Sequence, residues 1–156
     1  MQGEAKIFFS YYFDFATAIE FVIKQILIRK YKDQFVPKKL RIREENFPVF
    51  FESKDIILLI EEDFPLLYWN DYKFFAIDYY YEMKFKYFSR IPDDSIINID
   101  MFKNSYSNCR NIRNAIAHKL ILQQVSFNIQ GVLDFILVFY VLYHYLNNFI
   151  IENTDI

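Results

Sequence analysis

Arg113, Asn114 and His118 place a permanent cation, an amide and one of the chain's two histidines within about two helical turns. These side chains suit cleavage of a ribose phosphodiester without a metal. Such a reaction needs one group to take the proton from a 2′-OH and another to protonate the departing 5′-oxygen. It also needs a cation for the crowded phosphate. Histidine titrates near neutrality and can fill either proton-transfer role, while arginine stays charged and offers phosphate oxygens a planar fork. Asn114 and His118 stand four residues apart, so the amide could hydrogen-bond the imidazole and fix its orientation.

The spacing is helical. With Arg110 at zero and 100° per residue, Asn114 falls at about 40°, His118 at about 80°, Arg113 at about 300° and Ala117 at about 340°. Cys109, Ile112, Ile116 and Leu120 occupy the opposite side, an apolar back to bury. Ala117 leaves a gap in the polar arc through which a phosphate or a second helix could approach. Ser105 or Ser107 is the expected N-cap, which would put Arg110 and Arg113 in the first turns, at the positive end of the helix dipole. Arg113 and His118 point about 140° apart on a regular helix. They converge on one phosphate only if a second copy completes the pocket.

These residues resemble the Arg-x(4–6)-His signature of the HEPN superfamily, with Asn directly after the arginine and Ala directly before the histidine. The likeness is specific over residues 113–118, and the rest of the chain fits the family's small all-helical bundle. The resemblance implies a metal-independent endoribonuclease that cleaves single-stranded RNA where two HEPN domains meet. It implies Arg113 and His118 as the catalytic pair and Asn114 as the polar residue beside them, with no cofactor. A role in prokaryotic defence, as a toxin or abortive-infection effector, goes with that family. HEPN toxins paired with nucleotidyltransferase antitoxins carry a tyrosine two positions after the histidine; here Leu120 stands there, a departure from that subgroup's pattern. Any activating signal must then come from a separate partner, an antitoxin or other regulatory protein, or from dimerisation itself. Two alternatives stay open: a HEPN-like scaffold that binds RNA or protein without cleaving, and a membrane-associated oligomer.

The elements around the motif are long helices. In 156 residues there are only 2 Gly and 4 Pro, which argues for few tight turns, and 54% hydrophobic residues exclude global disorder. The expectation is one domain over residues 1–156, an all-α bundle of four or five helices. A lone cysteine, Cys109, cannot form an internal disulfide and reads as a buried thiol in a reducing cytoplasm. Met1-Gln2-Gly3-Glu4 lacks the basic start of a secretory signal, again pointing to the cytoplasm.

Apolar residues at Phe8, Tyr12, Phe15, Ile19, Val22, Ile23, Ile26 and Leu27 predict a helix over about 4–32. The stretch from Arg29 to Arg43 is basic, and the next is acidic, through Glu44, Glu45, Glu52, Asp55, Glu61, Glu62 and Asp63. Lys38, Lys39, Arg41 and Arg43 are therefore candidates to track an RNA backbone, with a self-paired solvated loop as the alternative. Arg110 is a candidate phosphate contact or a simple surface charge. A net charge of −2 and a pI near 5.7 give no bulk affinity for nucleic acid.

Residues 56–60 form an apolar run too short to type. Asp63 and Pro65 predict a third helix reaching Phe88 that buries Leu67, Phe74, Ile77, Tyr81, Phe85 and Phe88, with an edge strand over 81–87 as the alternative. Residues 89–100 read as a linker. Gly131 breaks the chain before a nearly all-apolar segment, Val132 to Ile151. That length approaches a bilayer span, yet Asp134, His144, Asn147 and Asn148 are expensive in lipid. A central or dimer-interface helix is the better reading, with membrane contact disfavoured. His144 is then a partly buried helix residue or a second titrating group.

Overall fold

The computed structural model describes residues 2–30, 54–79, 88–117 and 129–154. Five helices carry them: α1 (Gln2–Lys30), α2 (Lys54–Glu62), α3 (Trp69–Tyr79), α4 (Ile99–Ala117) and α5 (Ile129–Thr154). Two-residue strands β1 (Leu67–Tyr68) and β2 (Ile96–Ile97) pair antiparallel, Leu67 opposite Ile97 and Tyr68 opposite Ile96. Among the described residues the architecture is thus helical, with one short clasp.

Helix α5 is the axis. Every residue from Val132 to Val138 is buried, as are Tyr140, Val141, Leu142, Tyr145 and Leu146, because α1, α3 and α4 surround it. The window Ile129–Asn148 is long and apolar enough to cross a membrane, but 72% of it is covered by the rest of the bundle. Its hydrophobicity is that of a core helix.

Helix α1 repeats apolar residues at the helical period and buries Tyr12, Ala16, Ile19, Val22, Ile23, Ile26 and Leu27. Phe15 is half-buried against that core. Tyr12 of α1 closes tightly on α5 at Gly131, where a Cβ would stand 2.9 Å from Cζ of Tyr12 and 3.1 Å from Cδ1 of Ile112. Gly131 therefore does not interrupt the chain as expected. It lies inside α5, and its missing side chain makes room for the Tyr12 ring, which also stacks on Phe135 at 5.4 Å.

The short run 56–60 is helical, burying Ile56 and Ile60 one turn apart and exposing Leu58. The next prediction needs correction. No helix starts at Asp63, where a turn closes α2 through Asp63 N–H to the Ile60 carbonyl; the helix begins only at Trp69, after β1. Its buried face is Trp69, Tyr72 and Ala76, while the expected core residue Phe74 is 58% exposed and Ile77 is half-buried. Leu67 is buried as expected, but from the strand, and Phe88 is buried beyond the helix. Tyr81, Phe85 and the possible strand over 81–87 lie outside the described residues.

The supposed linker over 89–100 contains β2 and the start of α4. The Trp69 N–H donates to the Ser95 carbonyl at 2.7 Å, so the clasp ties the beginnings of α3 and α4 together. Lys73 reaches Asp93, and Lys103 pairs with Glu61 at 2.8 Å, adding surface ties between neighbouring elements.

Candidate functional site

Helix α4 begins earlier than the motif suggested. Asn98 caps it, its Oδ1 accepting the Met101 N–H at 3.0 Å, and the acidic Asp100 sits in the first turn. Ser105 and Ser107 are therefore mid-helix and not caps. Arg110 and Arg113 consequently lie in the C-terminal half, so the positive dipole end and its free N–H groups add nothing to an anion site there.

The apolar back is formed by Phe102, Tyr106, Cys109 and Ile112, all buried. Arg110 and Asn111 are exposed, and Arg113 and Asn114 are half-buried. His118 follows the last described residue of α4 and lies outside the described residues, as do Lys38, Lys39, Arg41, Arg43 and Leu120. The structure thus locates Arg110, Arg113 and Asn114 of the expected site residues.

Arg113 turns towards α1. Its Nε donates to Oε1 of Glu20 at 3.3 Å, and its Nη1 donates to Oδ1 of Asn114 at 3.4 Å. About 28% of each charged side chain remains exposed, so the pair sits in a seam between α1 and α4 that opens to solvent. Burial raises the pKa of the Glu20 carboxyl, and the charge and hydrogen bond of Arg113 oppose that rise. A half-exposed pair of this kind contributes up to about 1 kcal/mol. Its more informative property is competition. A phosphate approaching Arg113 meets a guanidinium already held by a carboxylate and steadied by an amide.

Between one and about two turns earlier on α4 is a second polar group, facing α5. The Asp134 carboxylate, 9% exposed, accepts from Ser105 Oγ at 3.0 Å, from Gln130 Nε2 at 3.2 Å and from the Asn108 amide. Burial still wins, and the pKa of Asp134 is raised despite three donors that lower it. Such saturation fastens α4 to α5 and gives the carboxylate little freedom to act on a substrate.

Cys109 is buried, and burial pushes its thiol pKa well up, with Asp134 adding to the rise. A thiol so protected is inert. His144 packs edge-on against Tyr140 with ring centroids 4.4 Å apart; burial lowers its pKa while Asp71 acts in the opposite sense. It is a partly buried helix residue, as expected.

Sequence reasoning missed two residues of consequence. Glu20 left no local signal, since it is 93 positions from Arg113. Asp134 did leave one, an acid inside an apolar helix with Gln130 one turn before it. No family model, curated protein or solved structure matches this chain.

Proposed function

We propose that the protein is a HEPN-type, metal-independent endoribonuclease that acts as a homodimer on single-stranded RNA, with Arg113 and His118 of two copies forming the site. The observation that carries this reading is the placement of Arg113. It stands at a solvent-facing seam, oriented by Asn114, near the end of a helix whose next residue is His118.

The chemistry follows from the side chains. Arg113 holds the non-bridging phosphate oxygens. One His118 takes the 2′-OH proton as the 2′-oxygen bonds to phosphorus, and the partner copy's imidazole gives a proton to the 5′-oxygen as the P–O5′ bond breaks. The products are a 2′,3′-cyclic phosphate and a 5′-hydroxyl. Arg110, exposed about one turn before Asn114, provides a further phosphate contact on the same helix. A cytoplasmic defence role and an antitoxin-like regulator belong to this proposal.

The test is cleavage of single-stranded RNA in excess EDTA, with end-group analysis. Activity is expected in the wild type and is expected to vanish in His118→Ala and Arg113→Ala while each variant keeps its helicity. Undiminished cleavage in both variants, or activity abolished by EDTA, overturns the assignment.

One observation favours a second reading, a HEPN-like scaffold that binds without cleaving: Glu20 already occupies the Arg113 guanidinium. That reading predicts RNA or protein binding with no cyclic-phosphate product.

A further inference from the structure

Among the described residues, the outer face of α1 exposes large apolar side chains that the bundle does not cover. Phe13 is 57% exposed and Phe21 61%, and across a groove from them Tyr143 of α5 is 44% exposed. The groove holds about 650 Å³ and is lined also by Asp14, Thr17, Ala18, Val22, Phe139 and Leu146, so Thr17 and Ala18 form a low floor between two phenylalanines. Rings of this size bury about 150–250 Å² each when covered. The exposed parts of the three therefore offer on the order of 300 Å² of apolar surface, a fitting centre for an interface of about 800 Å² per partner.

The pattern along α1 is self-complementary. Asp14, Thr17, Phe21 and Lys24 recur at spacings of three and four, which keeps them on one stripe. A two-fold axis at the level of Ile19 pairs position 17 with position 21 and position 14 with position 24 when two such helices run antiparallel. Phe21 of each copy then lies over the low floor at Thr17 and Ala18 of the other. Asp14 of each meets the opposite charge of Lys24. A second copy satisfies both the ring-and-gap alternation and the reversed charges at its ends by symmetry.

We infer that the outer face of α1 is a self-association surface on which a second copy of this chain docks antiparallel, Phe21 against Thr17 and Ala18, Asp14 against Lys24. The inference deepens the two-fold ribonuclease reading and rests on it for the choice of two copies; Glu20, one residue from Phe21, puts the Arg113 seam at the rim of this surface.

The experiment is sedimentation equilibrium of the full chain, with RNA cleavage measured on the same samples. The wild type is expected to dimerise, and Phe21→Ser to weaken the dimer by at least about tenfold without loss of helicity. Asp14→Lys is expected to weaken it, and the double exchange Asp14→Lys with Lys24→Asp to restore it, a rescue that only this register predicts. A monomeric wild type, a wild type that floats with phosphatidylcholine vesicles in place of dimerising, or a dimer indifferent to Phe21→Ser and to charge reversal overturns the inference. A dimer that follows these variants while leaving RNA intact upholds the surface and rejects the ribonuclease. Cleavage by a dimer indifferent to them does the reverse.

Discussion

Helix α4 meets two carboxylates, Asp134 from α5 and Glu20 from α1, and the two are built for different purposes. Asp134 is nearly sealed and accepts from Ser105, Asn108 and Gln130, all neutral donors. Glu20 is half-exposed and bound to a cation, Arg113. Burial raises the pKa of both acids, so desolvation alone does not tell them apart. What separates them is what each leaves open. The first has its oxygens filled from within the bundle, whereas the second shares a guanidinium with solvent. A polar cluster that is complete belongs to the architecture; one that is incomplete towards water is where a ligand can enter.

The sharpest way to break the contrast is to delete each acid. Asp134→Ala strips three donors of their acceptor and opens a gap between α4 and α5, and is expected to lower stability by about 2–4 kcal/mol, read as a fall in the urea midpoint. Glu20→Gln should lower it by less than about 1 kcal/mol in the same assay. Equal losses would erase the distinction between fastening and exposed pair.

A second way uses Asp134→Asn, which keeps the shape but turns one acceptor into a donor facing a donor, at a cost of about 1–3 kcal/mol. The folded-state pKa of Asp134 is raised, so its contribution to stability is fully present below the ordinary aspartate range and declines as pH rises through the folded value. The deficit of Asp134→Asn relative to the wild type should therefore narrow as pH is raised from about 4 to 7. A deficit that widens over that interval would show that the three donors, and not burial, dominate.

The third and smallest effect concerns the open seam. As pH falls through the raised pKa of Glu20, the carboxylate is neutralised and Arg113 loses its competitor. Inorganic phosphate should bind more tightly at acid pH in the wild type, by a few-fold, whereas Glu20→Gln should bind it with a flatter pH profile. Isothermal titration across that range reads both. An identical profile in the two proteins would show that Glu20 does not compete with phosphate at Arg113.

Some of this organisation was legible in the residues. The core face of α1 from Tyr12 to Leu27 was, because a long helix repeats its period many times. The apolar back of α4 at Cys109 and Ile112 was legible for the same reason. Helix α3 was not. Aromatics make up 21% of the chain, so nearly every phase of 63–88 offers an apolar stripe, and β1 shifted the start that fixes the phase. Asn98 was overlooked as a cap because the serines lay nearer the motif. Gly131 was read by its backbone freedom, when its role is to lack a side chain beside Tyr12. For the candidate site, spacing singled out Arg113 and Asn114 as candidates, but Glu20 became visible only once α1 lay beside α4, since an ion pair across 93 positions has no local pattern.

Gly131 also has a mechanical consequence. It is the point at which three helices touch, Tyr12 from α1 and Ile112 from α4 closing on the bare backbone of α5. The residue that follows Ile112 is Arg113. This tight joint is therefore one peptide bond from the half-buried cation, and a methyl group added there must displace the Tyr12 ring or Ile112. The dry centre of the bundle and its water-facing ion pair are thus neighbours along α4, one residue apart.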